Sequence, residues 1–340
     1  MPKYENSRFK FKEDCMSVVI RSIGVHIPER RMTNDELAAM VDTTDEWIRS
    51  HTGIGCRHIA ADGAQTSDLA ADAARSALSK AGIGPHELDY IVVATATPDY
   101  FAFPSTACIV QDKIGAHGCA AFDLVAGCTG FIYALQVATG LLESGQGRNA
   151  LVIGAETLTR ITDWKDRATC VLFGDGAGAA VLSRIQEGGR GILKSILGAD
   201  GGGAKDLVLI QPERTKTFEP PLPSAPVLYM NGKNVYNFAV KSITVLIERI
   251  VHASMYSLDE IRWIVPHQAN ARIVQAAAKR LGIPEDRFFM NMEEYANTSA
   301  ASIPIALHEM EEKGLLKKGE LIMLIGFGSG LTYGATVIRW

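Results

Sequence analysis

"FDLVAGCTGFIYAL", residues Phe122–Leu135, sets one cysteine between an apolar strand-like run and an apolar helix-like run. The second run carries Phe131, Ala134, Leu135 and Ala138 on one helical stripe. A strand giving way to a helix is the repeating step of α/β folds, and the step recurs on both sides. Upstream, ELDYIVVATATP reads as a strand and STACIVQDKIGA as a helix, while downstream ALVIGAE reads as a strand. The second half echoes this order. EIRWIVPHQAN is strand-like and ARIVQAAAKRLG helix-like; RFFMNMEEYANTSAASIPIALHEM and the strand ELIMLIGFG follow. The correspondence runs over roughly 80 residues, which suggests duplication of an α/β unit rather than a short solenoid period. Strands apolar throughout suit sheets covered on both faces, and their alternation with helices predicts mostly parallel pairing. The echo sets Cys128 opposite Asn297, each at a strand-to-helix step. Two such helix starts would meet near a pseudo-two-fold axis and form one site from both halves.

The chain has 340 residues, 47% hydrophobic and 21% charged, enough for two ordinary domains or one large one and against disorder. A net charge of −4 gives no global pull toward nucleic acid or membrane, so any basic docking surface is local. No run approaches a transmembrane span. The first 15 residues, MPKYENSRFKFKEDC, lack the apolar core of a signal peptide and are expected to be an extension, with Met16 a candidate natural start. Six cysteines, at positions 15, 56, 108, 119, 128 and 170, show neither a C-x-x-C pair nor zinc spacing. No metal site is expected, and the thiols are expected to stay free in reducing cytosol.

Cysteine catalysis needs thiolate, which a helix N-terminus favours. Ala126, Gly127 and Gly130 leave room beside Cys128 for a substrate. The plain alternative, a buried cysteine acting as a small hydrophobe, is kept for the other five. His267, in IVPHQAN, follows a strand end, where α/β sites gather. It either activates the thiol, donates a hydrogen bond to an oxyanion, or is a satisfied core residue. Asn297, in EYANTSAAS, is a helix N-cap or an oxyanion donor, and spacing does not choose. FGDGAGAAVL (173–182) and GFGSGLTYGATVI (326–338) look like phosphate loops, yet each leads into a β-rich run. The dinucleotide fingerprint requires a helix there, so that reading fails. Glycines in such turns admit close approach of another chain segment.

DLVAGCTGF, IVPHQAN, YANTSAASIP, FGDGAGAAVL and GFGSGLTYGA resemble the motifs of β-ketoacyl-(acyl carrier protein) synthase III, in the family's order, over nearly the whole chain after residue 15. The resemblance implies the α/β thiolase fold: two similar halves, 16–185 with the nucleophile and 186–340 with His and Asn, in five αβαβα layers. It also implies a cytoplasmic homodimer with no cofactor and no nucleic-acid or membrane partner. By the resemblance, Cys128, His267 and Asn297 form the catalytic set. Cys128 takes an acyl group from an acyl-CoA primer, acetyl-CoA being the expected one. His267 and Asn297 stabilise the enolate formed as malonyl-acyl carrier protein loses CO2. The backbone N–H groups of Cys128 and Ser329 form a second oxyanion hole. Trp47 and Arg167 match residues that hold the CoA adenine, Phe103 one that reaches across the dimer, and Phe173 one lining the acyl pocket. His51 stands where an arginine is usual, which weakens the expectation for CoA. Arg272, Lys279 and Arg280 would dock the acidic carrier protein. The competing readings are a related condensing or acyl-transfer enzyme of secondary metabolism and a catalytically idle carrier-binding subunit.

Overall fold

The computed structural model describes residues 16–211 and 225–340; the expected extension, 1–15, with Cys15, lies outside the described residues. The chain enters on strand β1 (Ser17–His26). A short ribbon of β2 (Arg30–Thr33) and β3 (Cys56–Ile59) follows, with helices α1 (Asn34–Ala38) and α2 (Asp45–Thr52) between its strands. Next come α3 (Thr66–Ala81), β4 (Tyr90–Ala94), α4 (Thr106–Ile114), β5 (Ala120–Leu124), α5 (Gly130–Glu143) and β6 (Asn149–Thr157). Helix α6 (Arg167–Cys170) and β7 (Asp175–Ile185) close the first sheet. The second part holds β8 (Gly191–Ala199), the paired β9 (Leu207–Ile210) and β10 (Val227–Met230), α7 (Gly232–Ser254), β11 (Ile261–Pro266) and α8 (Ala271–Leu281). It ends with α9 (Met292–Tyr295), α10 (Ser302–Glu312), β12 (Leu321–Gly328) and β13 (Thr332–Arg339).

Two sheets result. The first has strand order β1-β7-β6-β4-β5 and the second β11-β12-β13-β8. Pairing is parallel for β6-β4, β4-β5 and β11-β12 and antiparallel elsewhere, which corrects the expectation of mostly parallel sheets. The reason lies in the glycine-rich segments. FGDGAGAAVL starts β7 directly, and Ser329–Leu331 turn β12 back into β13, so neither connection carries the full crossover helix that parallel neighbours need.

The layers follow from which apolar faces meet. Helix α3 packs on the outer face of the first sheet, beside α4, through Leu69, Ala73, Ala77 and Leu78. Helix α7 covers the outer face of the second sheet, beside α8. Helices α5 and α10 lie between the sheets and touch both. The order is α, β, α, β, α, the thiolase fold. Being central, α5 is largely apolar: Phe131, Ile132, Leu135 and Leu142 are wholly buried, each burial worth about 1.5–3 kcal/mol.

The internal echo survives with one change. Each central helix is entered through a single 3₁₀ turn, Gly127–Thr129 before α5 and Ser299–Ala301 before α10. Cys128 lies inside the first of these turns, one step ahead of the α-helix. Asn297 does not follow a strand. The strand expected ahead of it shrinks to one bridge between Phe288 and Ile264, and α9 intervenes.

The 299–301 turn rests on β6 because residue 154 is glycine; a β-carbon there would collide with the Ala300 carbonyl oxygen. Gly154→Ala should therefore cost about 1–3 kcal/mol in urea unfolding, and an unchanged midpoint would show that the turn retreats freely.

Candidate active site

Cys128, His267 and Asn297 line one pocket of about 500 Å³. All three are buried, while Lys233 and Arg272, on the same pocket wall, are exposed. The thiol is thus at the floor and the cations at the mouth.

Each floor residue is fixed by its backbone. A β-carbon at Gly328 would stand 2.7 Å from that of Cys128, so only glycine lets the end of β12 pass this close. The approach aims the Ser329 N–H at the Cys128 sulfur, beside the N–H of Cys128 itself. His267 follows β11, and its N–H donates to the Ile325 carbonyl at 2.7 Å. Asn297 is clamped against residues 172–174: its N–H donates to the Leu172 carbonyl at 2.9 Å, and the Gly174 N–H donates to its carbonyl at 3.1 Å. Phe173, between those partners, lines the pocket.

Hydrogen bonds also set which way the side chains point. The Ser299 N–H donates to Asn297 Oδ1 at 2.9 Å, so Oδ1 faces the turn and the two Nδ2 donors are left for the pocket. Thr298, not Asn297, stands at the N-cap of the 299–301 turn; Asn297 Oδ1 accepts from within that turn, and its amide nitrogen stays available. His267 Nδ1 lies 2.7 Å from Ser302 Oγ, which receives the Gln268 N–H at 3.4 Å. With the serine hydroxyl donating to Nδ1, the ring proton sits on Nε2. The rest of the motif is structural. Gln268 ties the strand end to Phe289 and Asn291, and Asn270 caps α8 while donating to the His51 carbonyl.

Burial governs the charge states. It pushes the Cys128 thiol up to about 11, against the pull of Ser299 and the two backbone N–H groups and against the thiolate that a helix start favours. Burial likewise holds His267 down to about 3, which makes it a neutral hydrogen-bond donor rather than a base at neutral pH.

The remaining expected residues divide. Trp47 lines the pocket, with the His51 ring stacked on it at 4.3 Å and the Arg167 guanidinium 5.1 Å from its ring centroid. That gap is too narrow for a flat base to enter between Trp47 and Arg167 unless Arg167 moves. Phe103 is not brought to the site; it stands 85% exposed beside the exposed Tyr100 and Phe101. On α8, Arg272 and Lys279 lie two turns apart on one exposed face, and Arg280 is offset from them. Ser299, Ser302 and Lys233 were missed, for nothing in their spacing separates them from ordinary turn and surface residues, whereas Gly328 falls in the run expected to admit a close approach.

Away from the pocket, Cys56, His58 and Glu294 bring three ligand-type atoms within 4.8 Å, a grouping the sequence did not suggest. Arg31 already holds the Glu294 carboxylate with two hydrogen bonds, at 3.0 and 3.1 Å. Among the described residues no helix is long and apolar enough to cross a membrane.

Residues 122–201 match the family described as 3-oxoacyl-(acyl-carrier-protein) synthase III, and residues 251–340 match its C-terminal counterpart. The chain is 49% identical over 326 residues to the β-ketoacyl-(acyl-carrier-protein) synthase III of Caldanaerobacter subterraneus subsp. tengcongensis, covering 94% of this chain and 97% of that one. It is 48% identical to the Neisseria meningitidis protein of the same name, over 94% of this chain and 98% of that one. The crystal structure of the 3-oxoacyl-(acyl-carrier-protein) synthase III of Aquifex aeolicus superposes with a TM-score of 0.89 at 42% identity, covering 95% of this chain and all of that one.

In imidazole ¹⁵N NMR, His267 should show the Nε2–H tautomer and stay neutral from pH 8 down to about 4. Titration near the usual histidine value would overturn the neutral-donor assignment.

Proposed function

The chain belongs to the β-ketoacyl-(acyl carrier protein) synthase III family, and from that premise we propose how its pocket carries out the family's condensation. It is an acyltransferase of the condensing type that serves the initiation of fatty-acid synthesis. The acyl donor in this reading is an acyl-CoA, acetyl-CoA first, and the acceptor is malonyl-acyl carrier protein. The cytosol is the compartment.

Cys128 Sγ attacks the primer's thioester carbon. The backbone N–H groups of Cys128 and Ser329 receive the oxyanion that forms, being already aimed at the sulfur's surroundings. CoA leaves and the acyl group stays on sulfur, an exchange of one thioester for another. The malonyl thioester then enters with its carbonyl oxygen between His267 Nε2–H and Asn297 Nδ2–H. Loss of CO2 puts negative charge on that oxygen, where the two neutral donors stabilise it. The enolate carbon attacks the acyl carbon and releases Cys128. The observation that carries this reading is the pairing of a buried thiol with two oriented neutral donors in one pocket.

The cations Lys233 and Arg272 on the pocket wall suit the phosphates of a pantetheine carrier. The exposed face of Arg272 and Lys279 suits an acidic carrier protein; among the described residues neither is ion-paired. Homodimer formation is supported by β5 being a sheet edge, next to exposed Val125 and the Tyr100, Phe101 and Phe103 cluster. Phe103 would then complete the partner's pocket. The division into 16–185 and 186–340 is supported by the strand content of the two sheets.

Incubation with acetyl-CoA should add one acetyl group to the intact mass, absent in Cys128→Ala. His267→Ala and Asn297→Ala should keep that acylation while condensation falls about 10²–10³-fold. If no acyl-CoA or acyl-carrier protein acylates Cys128, the catalytic reading fails. Arg272→Ala should raise KM for malonyl-acyl carrier protein several-fold at low ionic strength, with the difference shrinking as salt is added. An unchanged KM removes α8 as the docking helix.

A further inference from the structure

Loading an acyl group onto Cys128 requires its proton to go somewhere. His267 is poorly placed to take it: Nδ1 is engaged by Ser302, and burial disfavours the protonated ring. A second buried acid lies behind the thiol. Glu156, on β6, is wholly inaccessible, yet none of the groups acting most strongly on it is a cation. Its carboxylate accepts from Thr97 Oγ1 at 2.8 Å, the Ala96 N–H at 3.0 Å and Thr95 Oγ1 at 3.2 Å. From the other side, the Ala300 N–H and the Ser299 hydroxyl also reach it.

The Ser299 side chain is the shared element. Its turn packs against both the Cys128 turn and the strand carrying Glu156, and its hydroxyl is near enough to both groups to favour the charged form of each. Its position is built in. Ser299 has φ +48°, a conformation unfavourable for a side-chain-bearing residue, and its N–H is held by Asn297 Oδ1. The turns carrying Cys128 and Ser299 pack on each other, and the latter packs on β6.

We infer that Glu156 accepts the Cys128 thiol proton through the Ser299 hydroxyl during acylation and returns it by the same path during condensation. The inference rests on Cys128 being the nucleophile, as proposed above. In loading, Sγ bonds to the acyl carbon, the thiol proton passes to Ser299 Oγ, and the serine's own proton passes to Glu156. The acyl–sulfur bond to CoA breaks, and the CoA thiolate takes a proton from water. In condensation, the enolate carbon bonds to the acyl carbon and the acyl–Sγ bond breaks. The Cys128 thiolate then regains its proton from Glu156 through Ser299. Glu156 ends each cycle as it began, and the one proton consumed from solvent resides on CoA. Burial without a cation lifts Glu156 to about 7, near where an acid both takes and gives a proton readily at neutral pH.

The test is the rate of Cys128 acetylation by acetyl-CoA, followed by quenched-flow mass spectrometry across pH, for wild type, Glu156→Gln and Ser299→Ala. The relay predicts acylation slowed about 100-fold or more at neutral pH in both variants. It also predicts recovery of roughly tenfold per pH unit as hydroxide replaces the lost acceptor, whereas wild type levels off above the Glu156 inflection. Ser299→Ala removes one hydroxyl and keeps the backbone N–H to Asn297, so it carries the test if Glu156→Gln does not fold. Rates within threefold of wild type, or a loss equal at every pH, would overturn the relay and leave Glu156 a structural tie. Failure of wild type itself to acylate would instead overturn the assignment of Cys128.

Discussion

Where the end of β12 passes the turn at Cys128, strand and turn come within a missing side chain of each other. Gly328 supplies one such absence and Gly154 the other, beneath the turn at Ser299. Together they fix the separation of three backbones: the thiol's turn, the turn following Asn297, and the strand leading to Ser329. Little freedom remains. His267 is tied to Ile325 in the same strand, and Asn297 to Leu172 and Gly174. The geometry of the pocket floor is thus a property of core packing, and rotamer choice plays a small part.

Such closeness also decides charge. With water excluded, ionised forms are disfavoured throughout: the thiol stays protonated, the imidazole neutral, and the Glu156 carboxyl is raised toward neutrality. A floor of uncharged donors suits an oxygen that becomes anionic only during reaction, because the stabilisation appears with the charge and not before it. The cost is a nucleophile that arrives with its proton attached. That is the difficulty the contact with Ser299 and Glu156 addresses.

Alternating strands and helices, the duplicated order and the meaning of the two glycine runs were legible because each is a local pattern. The family motifs extended that reading to the three residues of the floor. Strand direction was not legible: β7 and β13 run antiparallel because their connections are short, and a connection's path is a tertiary matter. The thiolate expectation meets an opposing influence of the same tertiary kind. A helix start is visible in sequence, but the burial that outweighs it belongs to the whole fold. Ser302 and Glu156 carry no signal at all until the chain brings them beside His267 and Ser299. Phe103 shows the limit of a single chain, since its neighbours in the fold leave it in solvent.

Phe173 and Asn297 share one backbone bridge, so the wall of the pocket and its amide donor move as a unit. Leu207 and Met230 face the same pocket from the separate β9–β10 pair, where they are paired with each other. Lineages that change the primer they accept therefore have two walls of unequal freedom. Enlarging the pocket at Phe173 disturbs the proposed Asn297 donor, whereas drift in the β9–β10 ribbon leaves that donor in place. Diversity in substrate choice should accumulate in that ribbon.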